Sequence, residues 1–252
     1  MTTAFLNDYL TISYKVRNFE QKNQYMKFYN SLMMAFVLII LNACNMTDHK
    51  NLRETAIRNI QEPKTLEEVQ AYALGEWSSL SVELRPTEDR TGTGVIMPTY
   101  LKRNFKYLSN DEFIGTITMF ADNYGELPLL AFEFKGSLEW GDPHPIAEGA
   151  WKIDYVLNQG FAVTPLNDQA AAMLNAGLPE GMEPFETNTK KDILGKAFPM
   201  FNIVEDQIVS DYDLIYFKNG LLFMGAKHVN GTPFDKPENR PHQLQIPLER
   251  IG

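Results

Sequence analysis

A single cysteine, Cys44, occurs in 252 residues. One thiol excludes an internal disulfide, and a chain of this length buries enough core to fold without one. Histidine is scarce as well. His49, His144, His228 and His242 are scattered, and their spacing matches no metal-binding pattern. No Gly-x-Ser-x-Gly element is present, so the commonest nucleophile motif is missing. Glu133 and Glu139 come nearest to an acid–base pair, but single carboxylates on strands are ordinarily solvated. The sequence therefore points to no enzyme, no metal and no cofactor. Positive charge is also in short supply. The 23 Lys and Arg against 32 Asp and Glu give a formal net charge of −9. That balance argues against nucleic-acid binding, which needs clustered cations, and against a polybasic membrane anchor. Finally, the chain lacks a spanning apolar run. Residues 32–41 read LMMAFVLIIL and fall well short of the roughly 20 residues a bilayer requires.

What is present begins with that run. It fits a signal-peptide core of about 7–15 residues, with Lys27, Lys22, Arg17 and Lys15 as the positive region before it. Met26 offers a second start site, and the sequence leaves open which one is used. Directly afterwards, Leu41-Asn42-Ala43-Cys44 resembles a bacterial lipobox, with a large aliphatic residue three before the cysteine and a small one just before it. Asn42 departs from the usual small residue. The expectation is that residues 1–43 are removed and that Cys44 carries a palmitate-type diacylglyceryl lipid. Two acyl chains anchor stably where one does not. The competing readings are an ordinary secretory signal, in which Leu41 sits poorly, and a buried core helix. Asn45 and Met46 place no acidic residue after the cysteine, which by resemblance to enterobacterial sorting favours the outer membrane. The expected location is thus extracytoplasmic, on the periplasmic face of the outer membrane or the cell surface.

Residues 44–64 read as the lipidated cysteine and a polar tether, and residues 65–252 as one domain. Thr65 and Glu68 form a capping box for a helix over 66–73. From Glu76 the apolar period becomes two, with Trp77, Ser79, Ser81, Glu83 and Arg85 on one face of a strand that Pro86 ends. A loop over 87–98 follows, then strands over 100–108, 112–121, 129–140, 149–158 and 161–164. Asn167 caps a second helix from Asp168, which Gly177 ends. Residues 178–201 read as loop. Asn219-Gly220 turns a hairpin between 211–217 and 221–226. A long loop and a last strand over 243–248 complete the chain. Many short strands with one or two short helices predict an antiparallel β-barrel, lipocalin-like in general architecture, or a two-layered sandwich.

Several segments in order resemble one known family. They are GEWSS at 75–79, ELRP at 83–86, YLKRNF at 100–105, DYVL at 154–157, VTPLNDQA at 163–170, GLLFMG at 220–225, DKPENRP at 235–241 and QIPL at 245–248. This ordered set is similar to the domain of the adenomatosis-polyposis-coli-down-regulated family of Wnt antagonists. The resemblance implies a β-barrel with an apolar pocket and, in the animal members, binding of the lipid-modified Wnt protein. Those members carry two such domains and cysteines within them; here there is one domain, and Val82 stands where a cysteine is expected. The lipobox implies a bacterial source without Wnt. What the resemblance carries over is the barrel and an affinity for an acyl chain or similar apolar ligand.

On the expected inner faces, Trp77, Arg103, Phe105, Phe113, Trp151 and Tyr155 are the candidate pocket residues. They would either line a cavity or fill a core, and small barrels often fill. Arg103 shares a strand face with Leu101 and Phe105, so an inward guanidinium there needs a carboxylate. Glu83 is the candidate, giving a structural ion-pair group of Glu83, Arg85 and Arg103. Alternatively, Arg85 or Arg103 binds a ligand head group at the mouth. The functional expectation is a membrane-anchored lipoprotein whose barrel binds an apolar ligand. The alternative is a filled barrel that docks an unknown protein partner.

Overall fold

The computed structural model describes residues 62–88 and 93–251. The expected signal segment, Cys44 and most of the expected tether lie outside the described residues. Ten strands form one antiparallel sheet: β1 Gly75–Ser79, β2 Glu83–Glu88, β3 Ile96–Tyr107, β4 Glu112–Phe120, β5 Pro128–Pro143, β6 Trp151–Pro165, β7 Lys191–Asp192, β8 Val209–Lys218, β9 Leu221–Met224 and β10 Leu248–Ile251. Helix α1 is Leu66–Ala73 and α2 is Asp168–Ala176. The hydrogen-bonded order runs β1-β10-β9-β8-β6-β5-β4-β3, and β3 pairs back onto β1. That last pairing closes the ring, so the fold is an antiparallel β-barrel with no free edge in the ring itself.

The expected single strand from Glu76 to Arg85 is two strands. β1 lies on β3 at residues 104–107 and β2 lies on the same edge of β3 at 96–101. Between them the four residues 79–82 face only Lys102 and Arg103, two more than the pairing needs, and 80–82 bulge out. An even number of extra residues preserves the alternation, so Trp77, Ser79, Glu83 and Arg85 still share a face, and Ser81 is expelled to solvent. The bulge has a second effect: β10 pairs with β1 and not with β2, so the β2–β3 hairpin rises beyond the ring. Part of the expected loop at 87–98 belongs to that hairpin.

Two more boundaries moved. The expected strands 149–158 and 161–164 are one strand, β6, with Gly160 inside it opposite Lys135. The register shift falls across Lys135–Ser137, where Gly136 packs against the Val156 carbonyl too closely to allow a Cβ. The expected last strand, 243–248, starts only at Leu248. Before it, residues 243–247 make isolated contacts, a bridge from Gly225 to Leu244 and a bond from the Gln245 amide to the Met224 carbonyl at 3.0 Å.

The helices form where the capping chemistry predicts. Thr65 Oγ1 accepts the Glu68 amide while Glu68 Oε2 accepts the Thr65 amide, a reciprocal box that satisfies two N-terminal donors. Asn167 Oδ1 accepts the Ala170 amide at 2.8 Å to start α2. Helix α1 buries Val69 and Ala73 against the lower end of the barrel. Residues 166–208 are more ordered than a plain loop. They hold α2, β7 and a 3₁₀ turn at Pro199–Phe201, and they place Phe185, Ile193 and Phe198 in the same core as the barrel.

Candidate functional site

Register fixes what faces inward. Trp77 stands opposite Phe105, Phe105 opposite Gly115, Gly115 opposite Phe134, and Phe134 opposite Phe161. Cross-strand partners share a face of the sheet. Trp77 is wholly buried, so this face is the interior.

The lower half is filled. Trp77 packs against Phe217 with ring centroids 5.4 Å apart, and its Nε1 donates to the Ala73 carbonyl at 2.7 Å. The Arg250 guanidinium lies 4.3 Å over the Trp77 ring and donates to the Leu74 and Tyr72 carbonyls at the end of α1. A cation there complements the helix C-terminus. One level up, Phe113 meets Tyr155 edge-on at 4.9 Å, and Phe105 lies 5.8 Å from Tyr155. Tyr107 and Tyr155 share a hydrogen bond of 2.6 Å between their hydroxyls. Burial pushes both phenols above their ordinary pKa, so both stay protonated. Thus Trp77, Phe105, Phe113 and Tyr155 pack on one another as core. Trp151 is only partly buried at the start of β6, and among the described residues its Nε1 has no hydrogen-bond partner.

One wall of the interior is charged. Arg103, 2% exposed, donates from Nε to Glu83, 3% exposed, at 2.9 Å, so this pair is sealed from water. Its other nitrogens are also engaged, Nη2 by the Ile246 carbonyl at 2.6 Å and Nη1 by the Met224 sulfur at 3.4 Å. Ser79 Oγ donates to Glu83 Oε1 at 2.6 Å and accepts the Arg103 amide at 2.7 Å. Arg85 stands apart from this network. It is half-buried, and its Nη2 donates to the neutral Gln245 Oε1 at 3.0 Å. Burial and the neighbouring Arg103 lower its pKa.

The sequence reading missed the facing half of this wall. Asp211 and Asp213 sit on β8 in the same alternation as Ile215 and Phe217, which are core. That period of two was the available signal. Asp211 accepts Lys227 Nζ at 2.6 Å. Asp213, 2% exposed, accepts the amides of Leu214 at 2.7 Å and Gly225 at 2.8 Å. Burial raises its pKa to about 6, Lys227 opposing and Asp211 assisting. A Cβ at Gly225 would run into both Pro241 and this carboxylate, so glycine is what lets the amide approach.

The upper half is less tightly closed. Ile117 stands opposite Arg103, Met119 opposite Leu101, and Val209 opposite Leu157, all on the inward face. These three and Phe134 are only partly buried. These four inward apolar side chains, next to the charged wall, mark the less filled end of the interior. The 166–208 segment covers the β5 and β6 side of that end. Lys191 and Asp192 pair with Val163 and Ala162, the Ile193 amide bonds the Phe161 carbonyl at 2.7 Å, and Phe201 packs on Phe132 at 5.1 Å. Within this cover lies an apolar cavity of about 310 Å³ between Leu174, Leu178, Phe185 and Phe198. A second, of about 260 Å³, lies beside α1 near Tyr107 and Trp140.

Among the described residues, no group of three or more His, Cys, Asp or Glu is placed to hold a metal ion, and no helix is long and apolar enough to cross a membrane. No protein-family model matches the chain, and comparison with curated proteins finds no match.

Proposed function

We propose that this chain is a lipid-anchored binding protein that holds an acyl chain or similar apolar ligand in the upper half of its barrel, without chemistry. The observation that carries the reading is that Ile117, Met119, Phe134 and Val209, all inward and apolar, stay partly exposed; the ligand would lie in a recess between them. Apolar surface kept accessible inside a closed sheet costs about 25 cal/mol per Å², a cost that an apolar occupant removes. The ordered likeness to the Wnt-antagonist domain supports the same reading, since an acyl group is the feature its animal ligands share. The lipobox supports the anchor: Cys44 would tether the barrel within reach of membrane-derived lipid.

Native mass spectrometry of the full chain tests the binding, with uptake of a fluorescent fatty acid as the second readout. Lipid adducts that Ile117→Trp abolishes support the reading; no adduct and no uptake overturn it. Labelling cells with a radioactive fatty acid, with Cys44 or Cys44→Ser, tests the anchor separately.

A second reading is favoured by a specific observation. The mutual packing of Trp77, Phe105, Phe113 and Tyr155 leaves no room for a ligand in the lower barrel. If the recess is also unoccupied in the experiment above, the barrel is a scaffold whose outer surface docks a protein.

A further inference from the structure

We propose that Arg85 is the head-group receptor of this barrel, and that the ligand is therefore an acyl chain ending in a single carboxylate. The proposal rests on the reading that the recess takes an apolar ligand and adds the polar end of that ligand.

Placement comes first. Arg85 pairs with Thr99 one step above the Glu83–Leu101 pair, and Leu101 in turn stands opposite Met119. The guanidinium is thus at the mouth, on the inward face, beside the apolar recess. A ligand with its chain on Met119 and Phe134 would bring its end to Arg85.

The state of the neighbouring charges comes second. Each carboxylate of the wall is already engaged: Glu83 by Arg103 and Ser79, Asp211 by Lys227, Asp213 by two backbone amides. The other buried arginine, Arg240, pairs with Asp154 at 2.6 Å on the outer face. Arg85 forms no ion pair among the described residues, and its one hydrogen-bond acceptor there is a neutral amide. Arginine has five N–H donors in a planar fork and does not lose its proton to escape burial. A half-buried guanidinium whose other donors meet no acceptor among the described residues and keep solvent access, next to a second guanidinium that repels it, is open to an anion. The downward pull on its pKa has the same physical origin.

The charge of the anion follows from the surroundings. Glu83, Asp211 and Asp213 all act on Arg85 across the wall. Among the described residues, Glu83 and Asp211 are balanced by Arg103 and Lys227, but Asp213 is not. It opposes a second negative charge, so a monoanionic carboxylate fits where a phosphate dianion does not. The planar fork suits a carboxylate bidentately.

The test compares laurate, dodecanol and acetate on the full chain, by competition against a fluorescent neutral lipid probe. These separate chain plus charge, chain alone and charge alone. Laurate is expected to bind roughly ten- to a hundredfold more tightly than dodecanol, the range of one charge-assisted hydrogen-bonded contact. Acetate should compete only at far higher concentration. Arg85→Gln should reduce laurate to the level of dodecanol and leave dodecanol unchanged, which also shows that the recess is still folded. Arg85→Lys should fall between, keeping charge without the fork. Equal affinity of laurate and dodecanol in the native chain, or a native preference that survives Arg85→Gln, overturns the assignment of Arg85 while the apolar-ligand reading stands. If neither chain compound binds, both fall.

Discussion

Glu83 and Arg103 meet at 2.9 Å across the bulge between β1 and β2, with both side chains almost wholly buried. The pair exists because residues 80–82 loop out and let β2 return to the edge of β3 in the right parity. It bridges β2 and β3 and, through the Ile246 carbonyl, ties both to the segment leading into β10. It is a fastener of the mouth beside which Arg85 remains available.

Removing one partner should be costly. Arg103→Met leaves a buried carboxylate without its cation, and a loss of about 3–5 kcal/mol is expected. The double variant Glu83→Leu with Arg103→Met should recover most of it, because two apolar groups leave no uncompensated charge. Urea unfolding midpoints of the two variants check this. A single variant as stable as the native chain would show the pair to be idle.

Asp213 gives a stability profile with a definite sign. Its folded pKa, about 6, lies above the ordinary aspartate value of 3.8. Between those two values the folded chain binds more proton than the unfolded chain, so this group's contribution to stability falls as pH rises through the window and is flat above it. Asp213→Asn keeps an oxygen for the Leu214 and Gly225 amides without the charge. It should raise stability by on the order of 1–3 kcal/mol at pH 7.5 and have little effect at pH 4. Thermal unfolding at the two pH values is the measurement.

The same carboxyl should tune the proposed ligand. It belongs to a wall that also presents Glu83 and Arg85 from β2, Arg103 and Tyr107 from β3, Tyr155 from β6, Asp211 from β8 and Lys227 from the following loop. Protonating Asp213 removes one negative charge from the field at Arg85. Laurate affinity should therefore rise by a few-fold between pH 7.5 and 5.5, while the ligand's own carboxylate stays ionised. The rise should vanish in Asp213→Asn, as read by the same competition titration.

Gly115 is a packing constraint. A Cβ there would stand 2.6 Å from Phe134 Cδ2 and 3.1 Å from Phe105. Gly115→Ala should cost about 1–3 kcal/mol by overpacking, and Phe134→Leu in the same chain should relieve part of it. Melting temperatures of the single and double variants decide the point.

Much of this was legible in the sequence because period-two alternation and capping chemistry are local. The Thr65–Glu68 box, the Asn167 cap and the Asn219-Gly220 turn all sit where local rules place them. The alternation from Trp77 to Arg85 gave the correct face even though the strand is interrupted. The barrel itself was expected, but the pairings that close it were not legible, because they join β1 to β3 and to β10, strands distant in sequence. The order in 178–201 was hidden for a related reason: its Gly and Pro content reads as loop, and the partners of Phe185, Ile193 and Phe198 are distant in sequence. Asp211 and Asp213 were overlooked although their spacing to Ile215 and Phe217 was visible. Inward carboxylates become plausible only when Lys227 and the Gly225 amide are known to meet them.

Met119 stands opposite Leu101 on the inward face, where the proposed ligand would lie against it. Methyl-labelled methionine NMR of the full chain, titrated with laurate, reports on it directly, with Met119→Leu assigning its signal. The Met119 methyl is expected to shift and saturate, while Met224, buried against Arg103, moves little. A Met119 signal unmoved at saturating laurate, or shifts spread equally over all methionines, would contradict the account.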